Sequence, residues 1–241
     1  MSALFGPTPV PEAIEQCRAI IARGMTDRQV ECLVMCKLAQ LEAMNGEFER
    51  ARTNYRRARS MLRELGQGVR AASTALEVVV VERLAGDLET AEREARADYE
   101  FLERSGETYF LATIAALLAR VVREQGRDEE ALALTVAAEK AAAEDDFDAQ
   151  VLWRSVRAPI LARAGDTNAA ESLARAALEL SRQAEDPVLQ ADTLAELADV
   201  LRICGRAEDA RGIAAEAAAI YRAKGDIVSA ERVEARSISA G

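Results

Sequence analysis

Glycine recurs along this chain at a nearly constant interval. Gly6, Gly46, Gly86, Gly126, Gly165 and Gly205 are separated by 40, 40, 40, 39 and 40 residues. A period of this length means a stack of like supersecondary units, each burying a face that its neighbour leaves open. Other columns keep the same register. Alanine stands five residues after the last five glycines, at Ala51, Ala91, Ala131, Ala170 and Ala210. It returns seven further on at Ala58, Ala138, Ala177 and Ala217, with Asp98 the one departure. Five before the glycines run Leu41, Val81, Val121, Ile160 and Val200, and seven before them Ala39, Val79, Ala119, Ala158 and Ala198.

Each turn glycine ends a first helix, where the chain enters the left-handed region that glycine tolerates best. The following helix opens with acids, such as Glu47 and Glu49, Asp87 and Glu89, or Asp128 to Glu130. These complement the positive end of the helix dipole. The second helices close on bases, Arg63, Arg104, Arg182 and Lys224, as the negative end prefers. A second break follows twenty residues after the turn, at Gly66, Gly106, Asp146, Asp186-Pro187 and Gly225. Half of the residues are hydrophobic but only 4% are aromatic, and the alanine columns let paired helices approach closely rather than build strands. The expected fold is all-α, a right-handed solenoid of antiparallel helix hairpins. A single domain over 1–241 divides into an orphan helix at 11–23 and hairpins at about 27–66, 67–106, 107–146, 147–186 and 187–225. A partial terminal helix at 226–238 completes it, as in an array cut from a longer one.

The chemistry is defined by what is missing. With no histidine, Ser-His-Asp triads, Cys-His dyads and histidine metal sites are excluded. No G-x-x-x-x-G-K-[ST] phosphate loop occurs, so the reading is of a non-enzyme with no cofactor and no metal. Cys17, Cys32, Cys36 and Cys204 read as small buried residues of a reduced cytoplasmic protein. A net charge of −10 without a basic tract speaks against nucleic acid and anionic membranes. The longest apolar stretch, Leu111 to Val122, holds Arg120 and is too short to span a bilayer.

The pattern of turn glycine, alanine five later and alanine twelve later resembles the tetratricopeptide repeat in a long form of about 40 residues, over essentially the whole chain. A narrower likeness rests on Gly6 to Ile14, Leu41 to Gly46, Asp148 to Arg154 and Tyr221 to Asp226. These stretches look like the carboxy-terminal repeat region of bacterial signalling proteins that carry adenylate/guanylate cyclase and AAA-like ATPase domains, or of related transcriptional activators. The resemblance implies a regulatory or scaffold arm that docks a protein or peptide, or another domain of its own parent chain, in a concave groove. A ligand-sensing domain that changes curvature on binding a small molecule or peptide is the alternative. Alanine-rich outer faces can also pair two arrays into a homo-oligomer.

In such arrays the first helices line the groove, at positions three, six and ten before each glycine. The first column reads Ala43, Arg83, Arg123, Ala162 and Arg202; the second Gln40, Val80, Arg120, Pro159 and Asp199; the third Cys36, Leu76, Ala116, Ser155 and Ala195. Arg83, Arg120, Arg123, Arg202 and Gln40 are the candidate partner-binding residues, since guanidinium groups on a rigid wall can hold carboxylates in bidentate fashion. The same arginines can instead be solvated or pair with acids such as Glu77, Glu82 and Glu124. Pro159 should kink its helix. Trp153 should pack within the fourth hairpin, Tyr55 should take a packing position, and Tyr109 and Phe110 should pack on the preceding hairpin.

Overall fold

The computed structural model describes residues 6–24, 26–184 and 186–238. Among them regular structure is entirely helical. The orphan helix is α1 (Val10–Ala22). The first hairpin is α2 (Arg28–Met44) with α3 (Phe48–Glu64). The second pairs a broken first helix, α4 (Gly68–Ser73) and α5 (Ala75–Ala85), with α6 (Leu88–Ser105). Then follow α7 (Leu111–Glu124) with α8 (Asp128–Ala141), α9 (Phe147–Arg163) with α10 (Thr167–Ser181), and α11 (Pro187–Ile203) with α12 (Ala207–Lys224). The terminal helix is α13 (Ile227–Ile238).

The turn glycines do what their spacing asks. Gly86 has φ 81°, its amide donates to the Arg83 carbonyl, and the Asp87 amide donates to the Glu82 carbonyl at 2.8 Å. This paired closure satisfies two carbonyls that the helix end would otherwise orphan. A side chain at that position would force the left-handed backbone on a residue that resists it. Carboxylates cap several of the helices that follow: Asp27 accepts from Gln29 and Val30, Asp87 from Thr90, and Asp146 from Ala149. The break between α4 and α5, unmarked by glycine or proline, falls at Thr74, whose buried hydroxyl donates to the Ala71 carbonyl. Such back-bonding competes with the helical ladder.

The alanine columns lie buried where hairpin partners cross. Asp98, the departure from that column, is buried as well, and Arg59 on α3 meets both of its carboxylate oxygens at 2.6 Å. A charge is tolerated there because the preceding hairpin supplies its partner. First helices stack on first helices of neighbouring hairpins, and the curvature of that stack brings the two ends of the array together. The Lys224 ammonium donates to the Gly6 and Thr8 carbonyls at 2.6 and 2.8 Å. Val188 and Val228 pack on the core of Val10, Ala13, Leu41 and Val81. The terminal helix α13 lies along α12 and touches α2.

Candidate functional site

The inner wall is built by the first helices, and its character is set by one run of small residues. On α9 the three inward columns are Ser155, Pro159 and Ala162, all buried. No long side chain fills the space in front of α9, so the arginines of α7 reach across it to α11. Arg120 meets Asp192 at 2.8 Å, and Arg123 meets Glu196 at 2.7 Å. These contacts join residues 72 and 73 positions apart, two hairpins along the array. Arg83 on α5 pairs with Glu124 at 2.8 Å. Burial pushes the Glu124 carboxyl up, but Arg83 and Arg123 together overcome it and hold it down at about 2.

The sequence-derived site residues therefore fall into three groups. Arg83, Arg120 and Arg123 converge on one inner site, already paired with carboxylates. Gln40 is buried on α2 with its side-chain oxygen unpartnered, outside that cluster. Arg202 is exposed and bonds Asp199 at 3.4 Å on its own helix. It borders a separate gap of about 30 Å³ between α11, α12 and α13, floored by Ala198, Ala210, Ala214 and Val233. Pairing with acids, the alternative left open by the sequence, is what Arg83, Arg120 and Arg123 do here, and the ion pairs draw the inner face in. Of the acids named as alternative partners, Glu124 takes Arg83, while Glu77 takes Lys37 at 2.7 Å and Glu82 takes Arg52 and the Tyr55 hydroxyl, each at 2.6 Å.

What remains open is a small cavity, about 40 Å³, between α5, α7, α11 and α13, bordered by Arg83, Arg120, Asp192, Glu196, Tyr221 and Arg232. The Tyr221 hydroxyl donates to Asp192; burial first, and that carboxylate second, raise its pKa well above the phenolic norm. Asp226 caps α13 through the Ser229 amide at 3.0 Å, and burial lifts its carboxyl to about 6 against that bond. Asp192, Glu196, Tyr221 and Arg232 are absent from the sequence-derived set. Asp192 lies three residues before the groove column at Ala195 and Glu196 one residue after it, at offsets that only the curvature of the stack turns inward. The signal that could have found Glu196 is its place as an acid within a helix otherwise apolar around it, Ala195 to Ala198.

Trp153 is buried in the core of α7 and α9, its indole N–H donating to Gln150 at 3.1 Å. The guanidinium carbons of Arg154 and Arg157 sit 4.1 and 4.4 Å from its ring centroid. Phe110 packs on Ala72, Ala75 and Leu102 of the preceding hairpin and on Ile114 of its own. Tyr109 does not: it is 73% exposed and stacks edge-on against Phe110. The Phe110 ring already covers the apolar surface there, which corrects the expectation for Tyr109. Among the described residues no group of acids or cysteines is arranged to hold a metal ion, and no helix is long and apolar enough to cross a membrane.

A tetratricopeptide repeat family model matches residues 190–224, the α11–α12 hairpin. The architecture of the whole array recurs in solved structures. BtubC (BKLC) from P. vanneervenii shares it at 17% identity, with 89% of each chain covered and a TM-score of 0.60. A Rap protein complexed with Competence and Sporulation Factor aligns over 96% of this chain and 70% of its own, at 13% identity and a TM-score of 0.63. NprR in complex with its cognate peptide NprX aligns over 90% of this chain and 65% of its own, at 17% identity and a TM-score of 0.62. At these identities the likeness is one of fold: a tetratricopeptide-like helical-hairpin solenoid. No curated protein matches the sequence.

Proposed function

We propose that this chain is a non-catalytic docking module that seats a peptide or protein segment on the inner face of its solenoid. The observation that carries this reading is the cavity bordered by Arg83, Arg120, Asp192, Glu196 and Tyr221, polar groups converging at the centre of a fold otherwise held by alanine and leucine. Concave sites with a few convergent polar groups are where solenoids and pockets take ligands. The Rap and NprR structures, each solved with a bound factor or cognate peptide, use the same architecture and support a peptide as occupant here. The resemblance of Gly6 to Ile14 and Tyr221 to Asp226 to bacterial multidomain regulators supports a cytoplasmic setting as a regulatory arm beside cyclase and ATPase-type domains or a transcriptional activator.

The test is capture from a defined peptide library by the purified chain. Ala195→Trp fills the cavity from α11, and Ser229→Trp fills it from α13. Arg175→Glu changes an exposed residue of α10 paired with Glu171. Capture lost in both tryptophan variants and kept in Arg175→Glu, with helicity unchanged, is the expected result. Capture that survives both tryptophans and disappears in Arg175→Glu would place the working surface on the outer wall.

A further inference from the structure

The carboxylates around the inner cavity are all engaged. Glu124 holds Arg83, Asp192 holds Arg120 and Tyr221, Glu196 holds Arg123, Asp199 meets Arg202 and Arg236, and Asp226 caps α13. One cation is left over. Arg232 on α13 is half-buried at the cavity wall, and among the described residues its guanidinium has no hydrogen bond and no ion pair. The charges nearest it include two further arginines, Arg83 and Arg236, as well as Glu124 and Asp226. Burial first, then Arg83, make its charged form less favourable than in water. A guanidinium taken partly out of water beside like charges is costly unless an anion meets it.

A second observation is independent of Arg232. On the α7 and α11 sides of the cavity, the Nε of buried Arg120 and the Oε2 of buried Glu196 lack hydrogen-bond partners. They belong to adjacent groups, since Arg120 Nε lies 3.8 Å from Glu196 Oε1. One orphan is a donor and the other an acceptor. A peptide unit offers the complementary pair, a carbonyl and an N–H, whereas a fully ionised phosphate offers acceptors alone and would leave Glu196 unmatched.

Resting on the docking reading above, we propose that the cavity binds a carboxylate carried by an extended peptide, with Arg232 taking the carboxylate and Arg120 Nε and Glu196 Oε2 holding an adjoining peptide unit. The carboxylate comes from an acidic side chain or from the chain end, and both offer the same planar pair of oxygens to the guanidinium fork. The cavity itself holds only about 40 Å³, room for one small polar group and none for a helix, so the rest of an extended segment lies outside its mouth.

The experiment is an NMR titration of the full chain with four acetylated alanine tripeptides. One pair compares a free carboxy terminus with its amide. The other, amidated at the end, compares a central Asp with a central Asn. The expected result is that at least one acid binds roughly tenfold or more tightly than its neutral twin, about the effect of one charge-assisted pairing. Arg232→Gln should abolish that preference, Arg232→Lys should keep part of it, and Arg175→Gln should leave it whole. Neutral twins that bind as well as the acids, with Ala195→Trp blocking both, would sink the carboxylate assignment and leave docking intact. A preference that survives Arg232→Gln would sink it too. No binding of any probe up to millimolar concentration would overturn the cavity as the docking site altogether.

Discussion

The inner and outer walls of this solenoid use the same chemistry, arginine against carboxylate, and put it to different ends. On the outer wall Arg96 of α6 meets Glu130 of α8 at 2.6 Å, with side chains 36% and 38% exposed. On the inner wall Arg123 of α7 meets Glu196 of α11 at 2.7 Å, with side chains 6% and 8% exposed. Distance does not separate the two; solvent does. The outer pair is screened and embedded in a network with Glu92 and Arg127, where water can replace any member. The inner pair was stripped of water when the array curled, so each charge depends on the other. The outer pairs stitch neighbouring hairpins locally. The inner pairs of Arg120 and Arg123 span two hairpins and hold the curvature that shapes the cavity.

The sharpest way to break this contrast is to remove one inner partner. Arg123→Ala leaves Glu196 buried beside Arg120 alone, and should lower stability by about 3–5 kcal/mol, read as a fall in Tm of roughly 10 °C for a chain of this size. A change below about 1 kcal/mol would mean the inner wall is wetter than its geometry shows.

The next largest effect is expected at Asp226. Its folded pKa, about 6, lies above the ordinary carboxylate value, so it binds its proton more tightly in the folded state. Its contribution to stability is complete below about pH 4 and is lost as pH rises through about 6. Asp226→Asn keeps an acceptor for the Ser229 amide and removes the titration. The variant should gain on the order of 2 kcal/mol over the parent at pH 7, with little gain at pH 4. Equal gains at both pH values would show that the carboxyl does not titrate in this window. Glu124 runs the other way: its lowered pKa stabilises the fold above about pH 4.5 and that contribution fades as pH falls towards 2.

The smallest effect belongs to the outer wall. Arg96→Ala should cost less than about 1 kcal/mol, because Glu130 keeps Arg127 at 2.9 Å and its exposure to water. A loss as large as that of Arg123→Ala would erase the distinction between the walls.

Much of the fold was legible in the glycine and alanine columns because a repeat makes local rules visible several times over. A left-handed turn at Gly86 or a close helix crossing at Ala131 involves residues near in sequence, so spacing alone exposes it. The inner site is another matter. Arg120 and Arg123 were singled out from their two columns, but their partners lie 72 and 73 residues on, and no single-hairpin rule reaches that far. The decisive signal was spread across α9, where Ser155, Pro159 and Ala162 leave room for the arginines to pass. Asp98 shows the same limit in miniature: it looked like a flaw in the alanine column until Arg59, 39 residues earlier, was placed against it. Arg232 was hidden in the terminal helix α13, outside the five hairpins whose columns were compared. Tyr109 was misjudged because Phe110 beside it satisfies the same apolar surface.

The most direct measurement of the central claim is a pair of double-mutant cycles, run side by side on Arg123 with Glu196 and on Arg96 with Glu130. Burial as the deciding variable predicts a coupling above about 2 kcal/mol for the inner pair and below about 0.5 kcal/mol for the outer one. Couplings of equal size in the two cycles would contradict it.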